Sequence, residues 1–119
     1  MSNQCNCAEL PDMFGLNNIE SAFRHLELLA EKEDGSRTLY RCQVCSRHWQ
    51  LDDWDIIKSR LAIRIDHPQQ WIDFDDKSIR MTFLVNSRGG LSEEKCTWPG
   101  CESWRVSGLL YCAFHATEI

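Results

Sequence analysis

Four side chains that bind soft metal ions fall within one short stretch, CTWPGCESWRVSGLLYCAFH: Cys96, Cys101, Cys112 and His115. The spacing is C-x4-C, a ten-residue loop, then C-x2-H. Thiolate and imidazole are the ligands that Zn2+ takes in closed structural sites, and two short chelating pairs joined by such a loop can wrap one tetrahedral ion. Pro99-Gly100 lets the first pair turn sharply, and Gly108 supplies a second turn before Leu109-Leu110-Tyr111. We read the four as a zinc site of three cysteines and one histidine. Two other readings compete. Buried, unliganded thiols are common, but not three of them beside a histidine at chelate spacing. A disulfide framework needs an oxidising compartment.

A second site is expected around Cys42-Gln43-Val44-Cys45, a C-x2-C knuckle between two strand-like runs, 38–41 and 49–51. Strand, knuckle, strand is how a zinc ribbon is built. Its other two ligands are expected to be Cys5 and Cys7, which brings all seven cysteines into two sites. His25 competes for a place in this set, and His48 does so more weakly.

Each expected zinc ion has four protein ligands, which leaves no position for the water that a catalytic zinc activates. There is no H-E-x-x-H, and no H-x-E paired with P-C-x-x-C. The carboxylates Asp52, Asp53 and Asp55, and Asp73, Asp75 and Asp76, form two acidic clusters. Such runs are more often solvated faces or helix caps than acid/base sites. We expect no enzyme. Trp54 and Trp71 stand beside these clusters. Filling a small core is the plain reading of Trp49, Trp71 and Trp104; for Trp54 and Trp71 an aromatic anchor ringed by carboxylates for a basic protein partner is the functional one.

The elements that position these residues follow from local pattern. Ile19, Ala22, Phe23 and Leu26 have helical spacing after Asn17-Asn18, so a short helix is expected to about residue 24. A strand follows, then a hairpin turn at Glu33-Asp34-Gly35-Ser36 and the return strand into the knuckle. Residues 61–65 alternate as a strand, and Asp66-His67-Pro68 ends it. Asp76 is placed to cap a helix from Lys77 to about Arg88, with Ile79 and Phe83 on one side and Gly89-Gly90 as its stop. The expected fold is α+β: a small zinc-stabilised domain of zinc-ribbon-like β-hairpins with one or two short helices. The 119 residues read as a single domain with two zinc-binding lobes, about 1–55 and 90–119, bridged by a strand/helix segment at about 56–89.

The formal charge is −5, with 18 acidic and 13 basic side chains. A zinc site of four thiolates adds two negative charges and one of three thiolates and a histidine adds one, which takes the total to about −8. So acidic a chain is a poor binder of phosphate backbones and is well suited to steer a basic protein. The first twenty residues hold no Lys or Arg and no apolar run, so no secretory signal is expected. No stretch is long enough to span a membrane. A reducing cytoplasm is the expected location.

The run His25-Leu26-Glu27, an acidic-glycine turn, L-Y-R-C-x-x-C at 39–45 with a Trp soon after, Gly100-Cys101, G-L-L-Y-C at 108–112 and a final x-x-H resembles small cytosolic zinc-ribbon-like proteins of bacteria. Many of these are thought to be immunity proteins of polymorphic toxin systems. The resemblance implies an acidic, rigid binder that blocks a toxin inside the producing cell. One departure is Ser46-Arg47, where ribbons usually place Gly after the second Cys. The expected function is therefore a non-enzymatic immunity or inhibitor protein, with two structural Zn2+ ions. It would bind its toxin through Asp52, Asp53, Trp54, Asp55, Trp71, Asp73, Asp75 and Asp76. The alternative is a zinc-ribbon adaptor for nucleic acid or a transcription complex.

Overall fold

A computed structural model describes residue 5 and residues 7–17, 23 and 25–118. The chain is α+β, mostly antiparallel strand with a few short helices. It divides into two units, Met1–Phe74 and Asp75–Ile119. Segment 56–89, expected as a bridge, is shared between them. No described helix is long and apolar enough to cross a membrane.

The first unit is a five-stranded antiparallel sheet in the order β1-β5-β4-β3-β2. The strands are β1 Met13–Leu16, β2 Leu26–Glu31, β3 Thr38–Cys42, β4 His48–Trp54 and β5 Ser59–Ile65. β2 and β3 join through the expected turn. Gly35 takes φ 71°, Lys32 N–H donates to Arg37 O at 3.0 Å, and Asp34 Oδ1 accepts from Ser36 N–H at 2.9 Å. An Asx residue followed by a left-handed Gly is the chemistry such a turn needs.

β4 is central, and its run of buried residues reflects cover on both faces. Successive side chains of a strand point to opposite sides. Trp49 and Leu51 therefore face one side, where a buried cluster gathers Cys7, Leu16, Phe23, Cys42 and Ala62. Phe14 and Phe23 lie 5.9 and 5.0 Å from the Trp49 ring. Gln50 faces the other side, in one cross-strand row with Leu39 and Ile63. A 3-10 helix at Pro68–Asp73 lays Trp71 over that row.

β1 was not expected. Its four residues, MFGL, carry a glycine that reads as a turn. A Cβ on Gly15 would stand 3.0 Å from Ser59 Oγ and 3.7 Å from Arg60 O, so glycine here lets β1 approach β5 closely. Most of the helix expected up to residue 24 lies outside the described residues. Phe23 is described and buried.

The second unit begins with α1, Lys77–Ser87. Gly89 and Gly90, at φ 83° and 115°, end it as expected, and Gly90 N–H donates to Val85 O at 2.9 Å. Of the apolar set Ile79, Met81, Phe83, Leu84 and Val85, Leu84 is fully buried, while Ile79 is 38% exposed and Arg80 is buried in addition. Asp76 sits at the cap position but makes no side-chain cap bond, because its carboxylate engages Arg80 Nε at 2.9 Å. Asp75 Oδ1 accepts from Lys77 N–H instead. A hairpin of β6 Leu91–Lys95 and β7 Trp104–Val106 follows, then α2, Ala113–Ala116. α1 packs on α2.

Candidate metal centres

The second unit carries the first expected site. Cys96 directly follows β6, and its N–H donates to Ser103 O at 2.8 Å across the hairpin. Gly100 at φ 81° turns the chain, so that Cys101 N–H reaches Trp98 O at 3.0 Å. Gly108, also at φ 81°, closes the second turn, with Leu109 N–H on Val106 O at 2.9 Å. Cys112 caps α2, and its carbonyl accepts from Ala116 N–H at 2.9 Å. This single turn brings His115 back onto the cysteines.

Cys96, Cys101, Cys112 and His115 each offer one donor atom, all within 4.8 Å of one another. Cys101 Sγ lies 3.8 Å from Cys112 Sγ. His115 Nδ1 lies 3.4 Å from Cys112 Sγ and 3.7 Å from Cys96 Sγ. A tetrahedral ion with metal–sulfur bonds of about 2.3 Å sets its sulfurs about 3.8 Å apart. The donor set therefore fits one such ion.

In the first unit, Cys5, Cys7, Cys42 and Cys45 form a second set on the same criterion. Cys7 opens a 3-10 turn, Cys7–Glu9, ahead of β1. Cys42 ends β3, and the knuckle turns through Ser46. Ser46 stands at φ 67° and donates its N–H to Cys42 O at 2.9 Å, while Cys42 N–H reaches Arg47 O at 2.8 Å. The knuckle forms without its glycine; serine takes the left-handed position. His25 is not in the donor set among the described residues. Its carbonyl accepts from Gln43 N–H at 2.8 Å, which ties β2 to the knuckle. His48 lies in β4, opposite Arg41 and Ile65.

The thiols are tuned unequally. Burial pushes Cys45 up, but the backbone and guanidinium of Arg47, with Cys5 and Cys42, pull it down to about 6. Burial likewise opposes ionisation of Cys96, and the backbone of Cys112 and Trp98, with His115 and Cys101, brings it to about 6. Burial raises Cys7 and Cys112. Each cluster thus holds one thiol shifted toward ionisation and at least one shifted against it, and a bound cation would favour the thiolate at all of them. The buried Trp49 indole N–H has no oxygen or nitrogen acceptor and pulls Cys7 toward the thiolate. Both clusters are compatible with a structural metal ion.

The residues expected to meet a partner are dispersed. Trp71 and Trp54 are 2% and 8% exposed, so both are interior side chains and not surface anchors; the carboxylates beside them stay in water while the rings complete the core. Asp52 and Asp76 are exceptions among those carboxylates: Asp52 is buried against Arg37, with Asp52 Oδ2 3.5 Å from Arg37 Nη1, and Asp76 is half-buried against Arg80. Asp53 and Asp55 are exposed, and Asp53 pairs with Arg60 Nε at 3.2 Å. Asp73 is exposed in the first unit; Asp75 and Asp76 belong to the second. The arginines are largely engaged. Arg41 pairs with Glu27, and Arg64 pairs with Asp12 at 2.7 Å and Asp66 at 3.3 Å.

Nothing in the residue pattern announces the rings that surround His115. Trp98 stacks on its imidazole with centroids 4.5 Å apart and planes 3° apart. Phe114 meets it edge-on at 5.3 Å. Pro99-Gly100 hid this contact, because the turn that folds Trp98 back becomes visible only in three dimensions. No protein-family model, curated protein or solved structure matches this chain.

Proposed function

We propose that the chain is a two-zinc binding module with no catalytic step, and that it acts by holding a protein partner. The observation that carries this reading is the completeness of both donor sets. Four side chains converge in each, so an ion held there has no coordination position left for water or substrate. Three or four sulfurs in a tetrahedral set favour zinc or iron over magnesium and calcium, and closed sets of four cysteines or of three cysteines and a histidine are those of structural zinc.

The partner we propose is a basic toxin domain, which the chain neutralises in the cytoplasm as an immunity protein. The net charge of −5 and the exposed Asp53, Asp55, Asp73 and Asp75 support a basic partner. The nucleic-acid adaptor reading draws less support, since Arg41, Arg60 and Arg64 already face carboxylates. Phosphate binding would have to displace those pairs.

The test is growth of cells that express the product of the gene beside this chain's own, with and without this chain. Relief of growth arrest, together with a complex stable on size exclusion, is the expected result. Absence of both would overturn the immunity reading. A salt-sensitive shift of generic DNA or RNA would then assign the chain to the adaptors.

A further inference from the structure

We infer that Trp98 is the positioning residue of the centre formed by Cys96, Cys101, Cys112 and His115: it holds His115 in the plane from which Nδ1, and not Nε2, binds the ion. This inference rests on the metal reading above and adds a residue outside the donor set.

A histidine can ligate through either ring nitrogen, and its neighbours decide which. Here Nδ1 is the nitrogen that lies 3.4 Å from Cys112 Sγ and 3.7 Å from Cys96 Sγ. α2 is a single turn, too short to fix the ring by helix packing alone. What fixes it is the near-parallel indole of Trp98 at 4.5 Å, with Phe114 closing one edge. Trp98 is itself braced by Tyr111, edge-on at 6.0 Å. Its backbone N–H points at Cys96 Sγ, 3.4 Å away. One residue thus supports two ligands, the thiolate through its amide and the imidazole through its ring.

The stacking also gains strength when metal binds. An imidazole on a dication carries partial positive charge, and the indole face attracts it. Interaction that is stronger in the loaded state must raise metal affinity. A ring kept only for packing would act equally on loaded and empty protein. Trp98 is 38% exposed, so burial alone is a weak reason for an indole here.

The experiment compares full-length wild type, Trp98→Ala and Trp98→Phe, each loaded with Zn2+ and titrated with a competing chelator. Co2+ loading and nitrogen-15 NMR of the histidine rings accompany it. Supporting groups outside a metal's donor set typically contribute about 10–100-fold in affinity. Trp98→Ala should lower the affinity of one equivalent by that factor, leave the other unchanged, and alter the Co2+ ligand-field bands. Trp98→Phe, which keeps an aromatic face, should recover most of the loss. The wild-type NMR should show Nδ1 of one histidine bound. An unchanged affinity in Trp98→Ala, an equal loss at both centres, or ligation through Nε2 would overturn the inference. Failure of the wild type to hold a second equivalent would instead sink the metal reading itself.

Discussion

The indole N–H of Trp71 donates to Gln50 Oε1 at 2.8 Å, with both side chains out of water. A glutamine in the centre of a sheet is costly unless its polar atoms are used, and Trp71 uses one. The pair locks the Pro68–Asp73 segment onto β4. Trp71→Phe should cost about 0.5–1.5 kcal/mol by removing this hydrogen bond, and Trp71→Ala about 3–5 kcal/mol, read by chemical denaturation. A variant that loses partner affinity at unchanged stability would instead make Trp71 a contact residue.

Metal content separates the two centres. Protein purified without chelator should hold two zinc equivalents. Cys42→Ser and Cys112→Ser should each hold one, since each leaves the other donor set complete. Structural zinc contributes on the order of 10–16 kcal/mol in small peptides, comparable to the stability of a whole domain. Chelation should therefore abolish the near-ultraviolet circular dichroism of the tryptophans. Full retention of that signal after chelation would show that the fold stands without metal.

Ser46 predicts a gain. A side chain at φ 67° is strained where glycine is not, by about 1–2 kcal/mol, offset in part by glycine's greater freedom in the unfolded chain. Ser46→Gly should stabilise the loaded protein by about 0.5–1 kcal/mol, and Ser46→Val should destabilise it. Equal melting temperatures for all three would show that the turn relaxes elsewhere.

Lys77 joins the start of α1 to the last ligand's helix. Its ammonium donates to Phe114 O at 3.1 Å and Thr117 Oγ1 at 2.9 Å, pairs with Glu118, and sits 4.0 Å over the Phe114 ring. Lys77→Met should fray α2 and speed chelator-induced release of one zinc equivalent. Unchanged release kinetics would show that Cys112 and His115 hold the helix unaided.

His48 titrates below the ordinary histidine value of 6.5, first through burial and then through the nearby Arg41 charge. The folded state thus prefers the neutral ring. Its contribution to stability is present above the ordinary value and is lost as the pH falls below it. Ring-proton NMR of the loaded protein should give one histidine midpoint below 6.5, absent in His48→Gln. A His48 midpoint at or above the ordinary value would reverse the sign.

Much of this was legible in the residues. The hairpin at 33–36, the knuckle at 42–45, the helix stop at Gly89-Gly90 and the Cys96–His115 donor set follow from local chemistry, because turns and chelates need particular residue types at fixed spacing; Cys5 and Cys7 join the knuckle from far along the chain, which only the cysteine count suggests, with His25 in competition. β1, β6, the burial of Trp54 and the exposure of Trp104 did not. β1 is four residues long, and its glycine answers to Ser59, far along the chain. β6, LSEEK, is exposed and polar, so pairing with β7 rather than apolar alternation makes it a strand. Trp54 and Trp71 stand among aspartates in sequence, while strand alternation turns Asp53 out and lets Asp52 follow the Trp54 ring inward, and a 3-10 turn buries Trp71 and leaves Asp73 exposed.

Cys5 and Cys7 precede β1, an edge strand, while their cluster partners lie at and just beyond the end of β3. Under tension the first unit therefore has a definite order of failure. A pull from the N-terminal side of Cys5 reaches the sulfur cluster before it reaches the β1–β5 ladder, so with metal in place the load falls on metal–sulfur bonds. Without metal it falls on the packing of the buried Cys7 and on the four-residue pairing of β1 with β5. An unfoldase pulling from that side meets a clasp when the ion is there, and only side-chain packing and a short ladder when it is not.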